Sequence, residues 1–206
     1  MKGLFITGTD TGVGKTRFTT GLISFLRAGG INAVGMKPIE CGGSEDGEAI
    51  LVASGGEAHG WVRSAISPVI FPEPLAPAAV SMDQEIDFDQ IRCTYDTLAA
   101  RSDFVVVEGA GGWLVPLDRD RTMADLAVLL DLPVLVVAAN RIGVLNHTLL
   151  TVQAIQAVGL VCHGIYLNTF EDTVDLSTES NARVMNELLP DLPVFGMDFG
   201  GIVEFP

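Results

Sequence analysis

The chain has 206 residues and a formal net charge of −14 at pH 7, and its lysines and arginines form no cluster. That charge pattern argues against binding to nucleic acid or to an anionic membrane surface. Hydrophobic residues make up 48% of the chain and aromatic residues only 7%, a mix typical of a parallel sheet of Val, Ile, Leu and Ala covered by helices.

The first predicted unit is a strand, a glycine-rich loop and a helix. An apolar run at residues 3–7 leads into the loop at 8–16, GTDTGVGKT, and a helical pattern follows from Phe18. Glycines let backbone N–H groups approach phosphate oxygens, and the helix N-terminus adds unpaired donors and partial positive charge. Lys15 can reach terminal phosphates, and the Thr16 hydroxyl can ligate Mg²⁺. The loop is a variant P-loop, with Thr9 where a glycine is usual, and it predicts a nucleoside triphosphate site.

Strand-like and helix-like segments alternate along the rest of the chain. Further strands are predicted at residues 32–36, 104–107, 133–137, 163–167 and 193–196, and helices at 49–54, 87–100, 123–130, 146–158 and 179–189. The proline-rich stretch 67–77 is predicted to be a long ordered loop. Strands separated by helices pair in parallel through right-handed crossovers. The pattern therefore predicts a single α/β domain over residues 1–206.

Polar residues follow several of these strands, where ligands bind in open α/β sheets. Glu108 ends a buried strand and precedes a run of small residues, a position that usually serves Mg²⁺ in P-loop folds, although a turn or cap carboxylate is the alternative. Lys37 follows the second strand and could hold a γ-phosphate or a developing negative charge, although a solvated lysine is the commoner case.

The cysteines are far apart in the sequence, at Cys41, Cys93 and Cys162. They lack the pair spacing of a metal site and are expected to be reduced thiols. No apolar run approaches the length of a membrane span. We therefore expect a cytoplasmic protein.

Six motifs together closely resemble the dethiobiotin synthetase family. They are GTDTGVGKT (8–16), KP (37–38), VEGAGG (107–112), VPL (115–117), TMADL (122–126) and GVLNHTLLT (143–151), and they cover nearly the whole chain in the family's order. The resemblance implies a P-loop NTPase-like three-layer α/β fold with a mostly parallel sheet of about seven strands. It also implies a homodimer with substrate sites at its interface. The reaction that it implies is the ATP-dependent carboxylation and ring closure of 7,8-diaminononanoate with CO₂, which gives dethiobiotin, ADP and phosphate in biotin biosynthesis.

The resemblance also implies residue roles. Lys37 and Lys15 would be catalytic. Thr16, Glu48 and Glu108 would hold Mg²⁺, with Asp46 as the alternative to Glu48. Substrate would meet Thr11, Lys37, Cys41, Gly143 and Asn146, where Cys41 stands in place of the family's usual Ser or Thr. The residues implied to bind ATP are Gly12, Val13, Gly14, Lys15, Thr16, Arg17, Glu48, Glu108, Gly109, Ala110, Gly111, Asn168, Thr169, Met197, Asp198 and Phe199.

The alternative hypothesis is a nucleotide-switched partition or positioning ATPase of related fold. Those proteins carry a second lysine early in the loop, where this chain has Asp10. They also tend to have a basic or amphipathic surface element, which the sequence does not indicate. Both features favour the synthetase.

Overall fold

The computed structural model describes residues 2–82, 85–170 and 176–197. The strands are β1 (Gly3–Gly8), β2 (Ala33–Met36), β3 (Ile39–Cys41), β4 (Val69–Phe71), β5 (Phe104–Gly112), β6 (Val134–Ala139), β7 (Cys162–Asn168) and β8 (Val194–Met197). The α-helices are α1 (Lys15–Ala28), α2 (Glu45–Ala53), α3 (Arg63–Ile66), α4 (Pro77–Ser81), α5 (Phe88–Arg101), α6 (Met123–Leu130), α7 (Val144–Ala157) and α8 (Leu176–Leu188).

A six-stranded parallel sheet in the order β2-β5-β1-β6-β7-β8 forms the centre of the molecule. Every residue of β1 and β6 is buried, as expected for parallel strands with both faces covered by helices. The α/β fold predicted from the sequence is confirmed, with six strands in this sheet over the described residues where about seven were expected. β3 and β4 pair in parallel as a separate two-stranded sheet.

The proline-rich stretch differs from the loop that the sequence predicted. It contains β4, and α4 begins at Pro77. Pro68 and Pro72 flank β4 and do not interrupt it, and a proline at the first position of a helix removes an N–H that has no intrahelical partner. The prolines therefore bound these short elements without preventing them.

Two further elements are longer than predicted. β5 continues to Gly112, because its glycine run stays paired with β1, where Gly8 lies opposite Gly112. Helix α2 begins at Glu45 and not near Ala49. Both extensions bring polar residues to the carboxyl edge of the central sheet.

Adjacent parallel strands place the phosphate loop, Lys37 and Glu108 at one edge. The loop follows β1, Lys37 follows β2, and Glu108 lies within β5 opposite Ile6. Helices α1 and α2 pack over β2 at Gly35, where a Cβ would lie 2.3 Å from Ile50 Cγ2. A side chain at Gly35 would thus push α2 away from the sheet.

Over the described ranges, the helices are too short or too polar to cross a membrane.

Candidate active site

The phosphate loop connects β1 to α1 and depends on glycine at two positions. Gly12 and Gly14 have φ angles of 72° and 94°, a region that residues with a Cβ rarely occupy. A Cβ on Gly14 would also lie 2.1 Å from Asn168 Nδ2. The Lys15 ammonium donates to the Asp10 carbonyl oxygen at 3.1 Å. The side chain of Lys15 is thus tied to the backbone of the loop.

A cluster of alternating charges lies beside this loop. The Lys37 ammonium is 2.6 Å from Glu108 Oε1 and 2.7 Å from Asp46 Oδ2. The Thr16 hydroxyl lies 2.8 Å from Asp46 Oδ1 and 2.9 Å from Glu108 Oε1. We call Lys37, Asp46 and Glu108 the lysine–carboxylate cluster. Lys37 and Glu108 are buried, with 4% and 0% of their surface exposed, so their charges interact with little screening by water.

Burial and neighbouring charges shift the pKa values of this site in different directions. Burial alone would lower the pKa of Lys37, but the Glu108 and Asp46 carboxylates outweigh it and raise that pKa. Burial would raise the pKa of Asp46, yet Lys37 and the Thr16 hydrogen bond hold it below its usual value. Burial, with the Lys37 charge second, lowers the pKa of Lys15 to about 8. Lys15 is therefore the cation of the site that gains most from a phosphate partner.

The structure brings Asp46, and not Glu48, to the Thr16 hydroxyl. Both carboxylates lie in the first turn of α2. The side chain of Glu48 is 61% exposed, and its Oε2 lies 3.9 Å from Arg63 Nε. Positions two residues apart lie about 200° apart around a helix, so the two side chains point to opposite sides. Of the two alternatives left by the sequence, Asp46 is the carboxylate that contacts Thr16, whereas Glu48 lines neither of the cavities described below.

A cavity of about 540 Å³ opens over the lysine–carboxylate cluster. Part of its lining is apolar and is formed by Pro74, Leu75, Ala76, Pro77 and Val115, which we call the apolar wall. Its remaining lining is Thr11, Gly12, Gly14, Lys15, Thr16, Lys37, Cys41, Asp46, Glu108, Ala110 and Gly111. Ten of the residues predicted from the sequence thus share one cavity. Residues 74–77 were not anticipated there; their prolines were interpreted only as loop signals.

Cys41 lies half-buried in this cavity. Burial raises the pKa of its thiol, so the group stays protonated near neutral pH and can act as a weak donor.

The Asn168 side chain supports the phosphate loop from the end of β7. It is fully buried; its Nδ2 donates to the Val13 carbonyl oxygen at 3.0 Å, and its Oδ1 accepts from Arg17 Nη1 at 3.1 Å. A second cavity, of about 640 Å³, lies on this side of the loop. It is lined by Thr11, Gly12, Val13, Ala139, Asn140, Arg141, Ile142, Thr169, Phe170 and Thr178.

Of the remaining predicted ligand residues, those that the structure describes lie in β5, in β8 and at the start of α7. Gly109 lies in β5, and Met197 ends β8. Asp198 and Phe199 lie outside the described residues. Gly143, with φ 88°, directly precedes α7, and Asn146 lies in the first turn of that helix. Within this single chain, Gly143 and Asn146 line neither cavity.

Comparison with known proteins identifies the family. The family model described as an AAA domain matches residues 2–196. An ATP-dependent dethiobiotin synthetase from Anaeromyxobacter dehalogenans is 47% identical over 194 residues, which cover 91% of this chain and 86% of that protein. The corresponding protein of Akkermansia muciniphila is 38% identical over 198 residues, covering 95% and 91%. The chain belongs to the ATP-dependent dethiobiotin synthetase family.

Membership confirms the resemblance drawn from the motifs and indicates an ATP-dependent ligase of biotin biosynthesis. Solved structures that share the fold are far more distant in sequence. A cell division MinC–MinD complex of Aquifex aeolicus matches with a TM-score of 0.57 at 14% identity, over 94% of this chain and 79% of that one. A putative plasmid partition protein of Borrelia burgdorferi matches with a TM-score of 0.55 at 10% identity, over 96% and 86%. At these identities the likeness concerns the P-loop NTPase-like fold alone.

Proposed function

We propose that this chain converts 7,8-diaminononanoate, CO₂ and ATP into dethiobiotin, ADP and phosphate. CO₂ adds to one amine to give a carbamate, and the γ-phosphoryl group of ATP passes to a carbamate oxygen with release of ADP. The second amine then attacks the carbamoyl carbon, which closes the ring and expels phosphate. The observation that carries the proposal is one cavity lined by two buried lysines, the phosphate loop and the apolar wall.

The two lysines supply the charge that this chemistry needs. Phosphoryl transfer to a carbamate brings several anionic oxygens together, so positioning and charge neutralisation dominate the catalysis. Lys15 faces the phosphate loop, and Lys37 lies deeper, between two carboxylates. In the proposed mechanism Lys15 and Lys37 hold the transferred phosphoryl group and the carbamate. Lys37 would have to leave at least one carboxylate to do so.

The site also fits a magnesium ion. Thr16, Asp46 and Glu108 offer only hard oxygen donors, which Mg²⁺ prefers. Glu108 Oε2 is buried and, within the part of the chain that the structure describes, has no hydrogen-bond partner. An unpaired buried carboxylate oxygen is costly unless it meets a donor or a cation. We therefore assign Thr16, Asp46 and Glu108 to Mg²⁺, which would neutralise phosphate charge when bound.

The apolar wall suits the alkyl chain of the diamine. Leu75, Pro77 and Val115 line the same cavity as Thr11 and Cys41. In the proposal the first three would contact methylene groups, and Thr11 and Cys41 would meet the reacting amines. In a homodimer, the α7 N-terminus of the second protomer, with its Gly143 and Asn146, would hold the distal carboxylate of the substrate, because unpaired N–H groups at helix starts bind anions.

The nucleotide base is assigned to the other side of the phosphate loop. The family resemblance implies that Asn168 and Thr169 bind ATP, and we assign them to the base. Met197, Asp198 and Phe199 would complete the base site. The second cavity borders Val13 and Thr169, which supports placing the base near it.

Product analysis tests the proposal directly. Purified protein is incubated with the diamine, ¹³C-bicarbonate, MgCl₂ and ATP, and the product is measured by mass. A labelled carbonyl in dethiobiotin, dependent on ATP, is the expected result. ATP hydrolysis that proceeds without dethiobiotin and does not respond to the diamine would contradict it and favour a nucleotide-switched ATPase.

A further inference from the structure

A partly buried ion pair outside both cavities, Glu40 with Arg63, contacts the start of α2. Glu40, in β3, is 3% exposed, and its Oε2 accepts a hydrogen bond from Arg63 Nη2. Glu40 Oε1 accepts from the Gly47 N–H at 3.0 Å. Arg63 Nη2 also lies 3.3 Å from the Ser44 carbonyl oxygen. The pair thus contacts the backbone on both sides of Asp46.

The first turn of α2 is held on its core side by the packing of the helix, where Ile50 is buried, and on its other side by contacts from β3 and α3. Ser44, which precedes the helix, makes no side-chain capping hydrogen bond, so a free N–H in this turn is satisfied from another element, by Glu40. The guanidinium lies so close to the turn that a Cβ on Gly47 would be 2.6 Å from Arg63 Cζ. Glu40 and Arg63 therefore contact this turn directly and help to fix its rotation.

The direction of the Asp46 side chain depends on the rotation of α2. Its short side chain reaches Thr16 at 2.8 Å and Lys37 at 2.7 Å, and Glu48, two residues further along the helix, is directed away. We infer that Glu40 and Arg63 are positioning residues that hold Asp46 at the metal site and so set the Mg²⁺ requirement of nucleotide binding. The inference deepens the proposed function and rests on its metal assignment.

The competing explanation is an ion pair that only stabilises the fold. The chain contains a matched pair for comparison, Asp118 and Arg121. Arg121 has 23% of its side chain exposed and Asp118 has 8%, against 24% for Arg63 and 3% for Glu40. Neither Asp118 nor Arg121 lines a cavity. Breaking the Asp118–Arg121 pair should reduce stability without touching the metal site.

The experiment measures binding of methylanthraniloyl-ATP as MgCl₂ is titrated, with no diamine or bicarbonate present. Arg63→Met should raise the Mg²⁺ concentration at half-saturation about tenfold, as loss of residues that orient metal ligands commonly does. Binding in EDTA should be unchanged, and Arg63→Lys should recover part of the shift. Arg121→Met should lower Tm and leave the Mg²⁺ dependence as in the wild type.

A double-substitution cycle provides the decisive comparison. In an Asp46→Asn background, Arg63→Met should cause no further shift, because the residue that it positions is already disabled. Equal shifts in both backgrounds, or a lowered Tm without any change in Mg²⁺ dependence, would overturn the inference. If Arg63→Met does not fold, Arg63→Lys and Glu40→Gln carry the same comparison. The binding titration contains no diamine or bicarbonate, so its outcome does not depend on dethiobiotin formation. Failure to form dethiobiotin in the product analysis would refute the proposed function separately.

Discussion

Replacing Lys37 with alanine tests the lysine–carboxylate cluster most directly. The change removes the ammonium that lies 2.6 Å from Glu108 and 2.7 Å from Asp46. Glu108 has no exposed surface, so it becomes a buried carboxylate without its cation. Removing one partner of a buried ion pair costs about 3–5 kcal/mol. For a chain of this size, Tm should fall by about 6–20 °C.

Magnesium should reverse much of that loss. Without the ammonium, both carboxylates are free to bind a cation, and a ligand at about 100 times its Kd stabilises the folded state by about 2.7 kcal/mol. In the wild type, Lys37 occupies two of the carboxylate oxygens, so the metal alone should stabilise less. Thermal unfolding with and without MgCl₂, in the absence of nucleotide, measures both effects. The exposed Lys2 provides a control, since Lys2→Ala should match the wild type.

Activity provides the second measurement on Lys37→Ala. Losing one group that stabilises transition-state charge lowers kcat by about 10²–10³, and Lys37 carries a full charge at the reacting phosphoryl group in the proposed mechanism. Dethiobiotin formation at saturating ATP and diamine should therefore fall at least that far. A variant with wild-type Tm and less than about a tenfold loss of kcat would refute both the buried ion pair and the catalytic assignment.

Three further predictions concern the same site. Burial above all lowers the pKa of Lys15 to about 8, so Lys15 is charged below that pH and neutral above it. The affinity for ATP should therefore fall as the pH rises past this value. Calorimetry in two buffers near pH 9 should detect proton uptake on ATP binding. Asp46→Asn should raise the Mg²⁺ needed for ATP binding about tenfold, whereas Glu48→Gln should leave it unchanged in the same titration. Gly14→Ala, which places a Cβ 2.1 Å from Asn168 Nδ2 at a φ of 94°, should lower both Tm and ATP affinity, measured by thermal unfolding and fluorescent nucleotide binding.

Local sequence signals predicted the parts of the site that depend on chain neighbours. The strand, glycine loop and helix around Lys15 form a contiguous segment, and their order alone indicates a phosphate site. Glu108 and Lys37 directly follow apolar strand residues, and parallel pairing then puts both at the same sheet edge. These signals predict the shared edge, whereas the close approach of Lys37 and Glu108 also requires the strand order β2-β5-β1, which they do not give.

Features that depend on packing between distant segments were not predictable. Asp46 and Glu48 have nearly the same sequence context, and only the rotation of α2 decides which one faces Thr16. Glu40 and Arg63, which lie in β3 and α3 and carry no recognisable motif, contribute to that rotation through their contacts with the first turn. The apolar wall at residues 74–77 likewise depends on β4 pairing with β3, a contact between short strands flanked by prolines.

The cluster also explains how a strongly acidic chain can bind a highly anionic ligand. The net charge of −14 opposes a triphosphate at long range, but salt screens that field within about 10 Å. Inside the cavity, two lysines balance two carboxylates, so the site is locally neutral before ligand binds. An arriving Mg²⁺ that takes over the oxygens of Asp46 and Glu108 would release Lys37 as an uncompensated cation beside the phosphates. Metal and nucleotide should therefore bind cooperatively, each making the site more favourable for the other.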